Sequence, residues 1–289
     1  MYKVDNAIIM AAGTSSRFAP LSYELPKALI TVKGEVLIER QIKQLQMAGI
    51  KKIVIVTGYK ANKFEYLKDK FGVELIYNSD YLTRNNNSSI YVARNCLRNS
   101  YICSADNYFT VNPFTTEVDD SYYAAQYATG PTKEWCISTD NQGYIDSVQI
   151  GGDDSWFMIG HTFWSREFSN LFLNILKREY DKPETKQKLW EDLYIEHLDI
   201  LKMKIKKYSK DEIIEFDSLE ELRKFDKIYI EDSHSKILRD ISTKLGIKQG
   251  EICGIETIKN CTNEAIGFNF CVGNNKYNYA YTTQRINAI

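Results

Sequence analysis

The chain has 289 residues, with 37 Lys and Arg against 38 Asp and Glu and a formal charge of −1, a length that suits one large domain or one domain with an appendage. At 44% hydrophobic and 26% charged residues it has the composition of an ordinary globular protein, not a disordered one. The even charge balance argues against a generic nucleic-acid binder, which needs a basic excess to displace counterions, and no apolar run is long enough to cross a bilayer.

Residues 7–10 form a short apolar run that leads to Gly13, serines and Arg17, which reads as a buried strand rather than a signal peptide. Residues 36–47 carry Leu37, Ile38, Ile42, Leu45 and Met47 at helical spacing. The β-branched run 52–56, bounded by Thr57-Gly58, predicts a strand buried on both faces. Residues 61–71 resume helical spacing, and 73–77 predict another strand. This order predicts an α/β fold with a mostly parallel sheet and crossover helices. Ligands then bind beyond the carboxyl ends of the strands, in the loops after Met10, Val56 and Ala105. A helix pattern covers 89–97, and a strand pattern runs from 100 to 109 through Asp106-Asn107.

From 121 to 160, short aromatic and β-branched runs alternate with Gly and Asp turns, which predicts antiparallel strands added to the sheet. Helices are expected over 168–178 and 188–201, and short strands over 205–207 and 213–216. Ser218 caps a helix reaching 225, with Glu221 in the capping-box position. The texture changes near residue 230, where a boundary separates 1–230 from a small appendage, 231–289. There Ser233 is expected to cap a helix bearing Ile237, Leu238, Ile241 and Leu245 and closed by Gly246. Runs 265–272 and 277–282 predict a hairpin through Gly273-Asn274-Asn275. The six cysteines show no C-x-x-C pair, and no histidine stands at metal-ligand spacing, so reduced thiols in a cytoplasmic protein are expected.

The segment Ala11-Ala12-Gly13-Thr14-Ser15-Ser16-Arg17 follows the first strand, and Lys27 follows Pro26 a little later. Small residues let the backbone approach a ligand, backbone N–H groups can hold anionic oxygens, and Arg17 and Lys27 add cations, so the loop suits a polyphosphate. A tight turn between strand and helix is the plainer alternative. No second glycine and no Lys-Ser/Thr pair complete a P-loop, and Ser15 and Phe18 break the dinucleotide fingerprint. What remains resembles the nucleotidyltransferase family, whose opening motif reads roughly A-A-G-x-G-[ST]-R…P-L-T…P-K-x-L. Ala11, Ala12, Gly13, Ser16, Arg17, Pro20, Leu21, Pro26, Lys27 and Leu29 match it, and Ser15 replaces its second glycine. The segments 85–91, 104–108, Glu134-Trp135, Phe163-Trp164, 192–194 and 215–218 follow in the order seen in bacterial phosphocholine cytidylyltransferases, so the resemblance spans roughly residues 5–228.

The resemblance implies a Rossmann-like nucleotidyltransferase fold with a mixed, mostly parallel sheet. It also implies Mg²⁺-dependent transfer of CMP from CTP to phosphocholine. A phosphomonoester's second pKa near ~6 leaves the nucleophile ionised at neutral pH, so no general base is needed. That suits a chain whose His161, His197 and His234 form no evident triad and read as structural. Lys27 is expected opposite the α-phosphate and the incoming phosphate, and Arg17 opposite the β and γ phosphates. Asp106 and Asp217 are expected to bind the metal, with Glu215 beside them. Glu215 and Asp217 stand two apart, which on one strand would put both carboxylates on one face; solvated acids ahead of a helix are the alternative. Asn87, Ser88 and Ser89 are expected to meet the nucleotide or simply to cap a helix. A quaternary ammonium is held by aromatic faces, and the family's positions fall on Trp135 and Tyr194, with Trp190 close by and Asp192 or Glu134 adding negative potential. Core packing is the competing role for these aromatic residues.

Residues 259–281, with Thr262-Asn263, resemble a fragment of the small lobe of bacterial choline kinases. No kinase catalytic loop accompanies it, so the segment is expected to pack on the main domain or on a second copy in a homo-oligomer, without kinase activity. The acceptors left open are a sugar 1-phosphate, phosphoethanolamine or an aminoalkylphosphonate. A catalytically silent nucleotide-binding module is the alternative from another class.

Overall fold

The computed structural model describes residues 1–262 and 264–289 and divides the chain into two compact units. One consists of Met1–Gly13 and Leu37–Glu215, the other of Thr14–Val36 and Phe216–Ile289. Residue 230 therefore lies inside the second unit, which takes the segment after Gly13 together with everything from Phe216 onward.

In chain order the first unit carries β1 (Asn6–Ala11), β2 (Ile53–Thr57), β3 (Glu74–Tyr77), β4 (Ser100–Ser104), β5 (Asn107–Phe109), β6 (Tyr122–Thr139), β7 (Ile145–Trp164), β8 (Lys204–Lys207) and β9 (Ile213–Glu215). Seven of them form a mixed sheet in the order β8-β6-β7-β4-β1-β2-β3. β1 runs parallel to β2 and β4, β2 to β3, and β6 to β8, while β7 is antiparallel to both β4 and β6. Every residue of β2 is buried, as a continuous apolar run covered on both faces requires. β5 and β9 make a separate antiparallel pair.

Helix α1 (Leu37–Met47) buries Leu37, Ile38, Ile42 and Leu45 of the stripe its spacing predicts, while Met47, at the helix end, is exposed. Its glutamines do further work: Gln41 Nε2 donates to Ser104 O (2.8 Å) and Gln44 Nε2 to Phe109 O (3.0 Å), which pins the ends of β4 and β5. Helices α2 (Tyr66–Phe71) and α3 (Asn87–Val92) follow. Helix α4 (Arg166–Glu179) starts at Ser165, whose hydroxyl accepts from Phe168 N (3.1 Å). In the segment 188–201 only α5 (Trp190–Ile195) is regular helix, and the chain continues in turns that bury Leu201. The core lies between α4, α5 and the sheet, where Trp164 meets Phe172 (4.6 Å between ring centroids) and Trp190 (5.0 Å).

The second unit begins with a turn at Ser16–Phe18, a short helix at Leu21–Glu24 and a turn at Lys27–Leu29. It continues from Phe216 with α6 (Leu219–Phe225) and α7 (Lys236–Leu245). Ser235, not Ser233, caps α7: its hydroxyl accepts from Leu238 N, while the buried Ser233 hydroxyl donates to Gln249 Oε1. Gly246 closes the helix at φ 67°. The expected hairpin is the centre of a four-stranded antiparallel sheet, β10 (Ile252–Lys259), β11 (Ala265–Val272), β12 (Asn275–Ala280) and β13 (Arg285–Ala288). Gly273 and Asn274 make the turn, with Val272 opposite Asn275. Of the Thr262-Asn263 pair, Asn263 lies outside the described residues.

Candidate active site

β1 ends at Ala11, and the next residue's carbonyl, Ala12 O, accepts from Tyr59 N (3.0 Å) in the turn after β2. Gly58 makes that approach possible, since a Cβ there would lie 2.8 Å from Ala12 O. Gly13 is exposed and closes the first stretch of the first unit; Thr14 opens the second unit. Ser15 stands at φ 49°, ψ 43°, the left-handed region that glycine adopts without strain. The position therefore asks for the glycine of the family motif, and the serine follows the same backbone path at a cost. Ser15 O accepts from Phe18 N (2.9 Å), which rolls Ser16 and Arg17 into a tight turn.

In the second unit the two expected cations share one carboxylate. Arg17 Nη1 lies 2.8 Å from Asp217 Oδ2, and Lys27 Nζ lies 3.8 Å from Asp217 Oδ1. Arg17 is largely exposed, whereas Lys27 is 5% exposed and rests beside the Phe18 ring. Asp217 is held in turn by its backbone N–H, which donates to Glu221 Oε2 (2.6 Å), while Ser218 caps α6 by accepting from Glu221 N. Glu221 thus serves the cap expected of it one residue further upstream. The three side chains Arg17, Lys27 and Asp217 carry a net positive charge, an arrangement that attracts anions. Glu215 and Asp217 do not share a strand face: β9 stops at Glu215, Phe216 turns into the core, and Asp217 falls in the second unit.

In the first unit Asp106 occupies the turn between β4 and β5, which is tied to β1 by Ala105 N donating to Met10 O (3.1 Å). Glu215 lies opposite Asn107 in the β9–β5 ladder and accepts from Asn107 Nδ2 (3.4 Å). Among the described residues no group of three or more His, Cys, Asp or Glu side chains is placed to hold a metal. Asp106 and Glu215 in the first unit and Asp217 in the second offer carboxylate oxygens, the donor type Mg²⁺ takes, but not as a cluster of three.

The start of α3 is a wall rather than a set of open donors. Asn87, Ser88 and Ser89 are buried. Asn87 Nδ2 donates to Thr185 O and Lys188 O, Ser88 Oγ to Asn85 O, and both serine hydroxyls accept from Asn78 Nδ2. Asn86 bridges to α5, accepting from Trp190 N (2.7 Å) and donating to Glu191 Oε2 (3.0 Å). Trp190 and Tyr194 are themselves core residues, 1% and 0% exposed, and Asp192 serves as a cap, accepting from Leu189 N (2.7 Å). Trp135 is half-buried and Glu134 exposed, both on β6.

The residue that sequence reasoning passed over is Glu191. Its Oε1 accepts from Tyr123 OH (3.3 Å), and Tyr123 stacks on Trp190 with ring centroids 5.7 Å apart. Burial pushes the Glu191 carboxyl up to about 7, against hydrogen bonds that pull it down. Burial also raises the Tyr123 phenol, reinforced by Glu191 and Glu215. The signal was available: on a helix Glu191 and Tyr194 stand three apart on one face, whereas Asp192, third in the helix, is placed to cap. The histidines have structural partners. Burial lowers His161 to about 3, so it is neutral, bonded to Tyr122 OH (3.0 Å), and His197 Nδ1 meets Leu193 O (2.9 Å). All six cysteines are free thiols, and no helix is long and apolar enough to cross a membrane among the described residues.

The chain is similar to known nucleotidyltransferases. The family model described as the MobA-like NTP transferase domain matches residues 7–128. The choline-phosphate cytidylyltransferase of Streptococcus pneumoniae is 31% identical over 222 residues, which cover 77% of this chain and 97% of that protein. A 2-aminoethylphosphonate cytidylyltransferase of Lancefieldella rimae is 34% identical over 229 residues, covering 78% of this chain and 93% of that one. The solved structure of the CTP:phosphocholine cytidylyltransferase from Streptococcus pneumoniae superposes with a TM-score of 0.75 at 31% identity, over 78% of this chain and 99% of that chain.

Proposed function

The chain belongs to the nucleotidyltransferase family that contains these cytidylyltransferases, and on that premise we propose that it transfers CMP from CTP to phosphocholine. The observation that carries the reading is the likeness to choline-phosphate cytidylyltransferases over nearly their whole length, with the cations of the phosphate loop in place. A phosphate oxygen of the acceptor attacks the α-phosphorus, the new P–O bond forms, and the bond to the β-phosphate breaks to release pyrophosphate. The acceptor phosphate is ionised at neutral pH, so the chain needs no base, in keeping with a buried, neutral His161. Lys27 and Arg17 exchange Asp217 for the phosphates, Lys27 at the α-phosphate and Arg17 at the β and γ phosphates, where charge accumulates as pyrophosphate leaves. Backbone N–H groups from Ala11 to Ser16 line the triphosphate. The Asn87, Ser88 and Ser89 side chains support that nucleotide site through the wall they build. The residues that would hold Mg²⁺ are Asp106 and Asp217, with Glu215 in a supporting role, and the ion would supply neutralising charge to the phosphates.

The cationic end of the acceptor meets Glu191, backed by Tyr123, Trp190 and Tyr194, with Trp135 the more accessible aromatic face and Glu134 or Asp192 adding negative potential. A carboxyl poised near 7 favours its ionised form once a cation arrives. The Lancefieldella relative favours a second reading, with 2-aminoethylphosphonate as acceptor. A primary ammonium needs hydrogen-bond acceptors for its N–H groups, whereas a trimethylammonium needs aromatic faces. Pyrophosphate release from CTP with phosphocholine, phosphoethanolamine, 2-aminoethylphosphonate and a sugar 1-phosphate decides between them. Turnover with 2-aminoethylphosphonate alone would move the assignment to the second reading, and turnover with none would remove it. The free thiols suit a cytoplasmic setting. The hairpin of β11 and β12 is read as a fragment that resembles the small lobe of choline kinases.

A further inference from the structure

Three contacts join residues 231–289 to the segment that carries Arg17 and Lys27, all within the second unit. Thr257 on β10 donates its hydroxyl to Ser16 O, the carbonyl immediately before Arg17. Tyr281 stacks on Tyr23 with ring centroids 3.6 Å apart and planes 7° from parallel. Glu24, three residues before Lys27, receives the start of α7: Oε1 accepts from Ser235 Oγ and from Ile237 N (3.1 Å), and Oε2 accepts from Lys236 N (2.9 Å). The tight turn at Ser16–Phe18 packs against β10 as well. Each contact acts on the backbone or on a neighbour of a cation, and none involves the cationic groups themselves.

We propose that the C-terminal sheet and helix are a brace for catalysis, with Thr257 and Glu24 as positioning residues that fix where Arg17 and Lys27 stand. The inference rests on the phosphate role given to those two cations above. A loop displaced by about an ångström can cost as much as ~100-fold in rate even when the change is remote from the reacting atoms. Thr257 suits a clean test, because valine keeps its β-branched shape in the strand and removes only the hydroxyl, while serine keeps the donor.

In the full-length enzyme, Thr257→Val is expected to lower kcat/KM for CTP by about tenfold or more with an unchanged Tm, and Thr257→Ser to restore it. If the hydroxyl works through Arg17, the same valine substitution in an Arg17→Ala background should change kcat/KM by no more than about twofold. Glu24→Gln, which cannot accept at both carboxylate positions, is expected to act in the same direction. Wild-type kcat/KM for both Thr257→Val and Glu24→Gln would overturn the brace, and so would a full additive loss in the Arg17→Ala background. An Arg17→Ala enzyme with wild-type kcat/KM for CTP would refute the phosphate role itself and take the brace down with it. The two failures are thereby told apart.

Discussion

Glu191→Gln is the perturbation that isolates the acceptor site. Burial holds the Glu191 carboxyl near 7 instead of its ordinary 4.5, so the ionised fraction rises from about a tenth at pH 6 to about nine tenths at pH 8. If the ionised form holds the cationic head, KM for phosphocholine should fall by roughly tenfold across that range, beyond the change caused by the acceptor phosphate's own ionisation near ~6. Glutamine keeps the size but cannot ionise, so the variant should show only the phosphate's contribution. Stability runs the opposite way. A carboxyl raised on folding binds its proton more tightly in the folded chain, so stability falls as pH rises from about 4.5 to about 7, by up to ~3 kcal/mol. Above pH 7 the glutamine variant should therefore melt no lower than the parent. The assay is initial-rate KM for phosphocholine at saturating CTP from pH 6 to 8, with thermal melts in the same buffers. Parallel pH profiles for parent and variant would refute the assignment of Glu191 to the acceptor cation.

Lys27→Ala should depress kcat by about 10²–10³-fold, since its contact strengthens as charge develops in the transition state; a change confined to KM in steady-state kinetics would contradict that role. Asp106→Ala and Asp217→Ala should each abolish most turnover at every Mg²⁺ concentration in a titration, and wild-type rates for either would strike it from the metal set. Ser15→Gly restores the residue its φ of 49° favours. Relief of left-handed strain is worth about 1 kcal/mol, so calorimetry should show a Tm raised by about 2–4 °C; an unchanged or lower Tm would mean that the serine hydroxyl contributes what the backbone loses.

Local pattern was enough for much of the framework. The runs at 7–10 and 53–56 had to be buried strands because no side of them is polar, and α1 and α6 declare themselves through apolar spacing and, for α6, through Ser218. The phosphate loop proposed above could be put forward from sequence because its chemistry is contiguous: a glycine, hydroxyls, Arg17 and Lys27 lie within one short stretch of chain. Even the departure at Ser15 pointed to a position built for glycine.

What one stretch of chain could not disclose was which distant partner each polar or aromatic group meets. Asn87 reads equally well as a nucleotide donor or a cap until it bonds the carbonyl of Thr185, 98 residues away. Trp190 and Tyr194 could face a ligand or a core, and packing against Trp164 and Phe168 settles that they are buried. Glu191 becomes a poised acid only because the fold buries it, which raises its carboxyl against the hydrogen bonds from Tyr123 and Asn86, far off in sequence. Residues 14–36 join the C-terminal unit through contacts spanning more than 200 positions. Periodicity and capping are set by neighbours within a few residues, whereas burial, desolvation and partner choice depend on which strands and helices pack together, and that is where the tertiary structure decided.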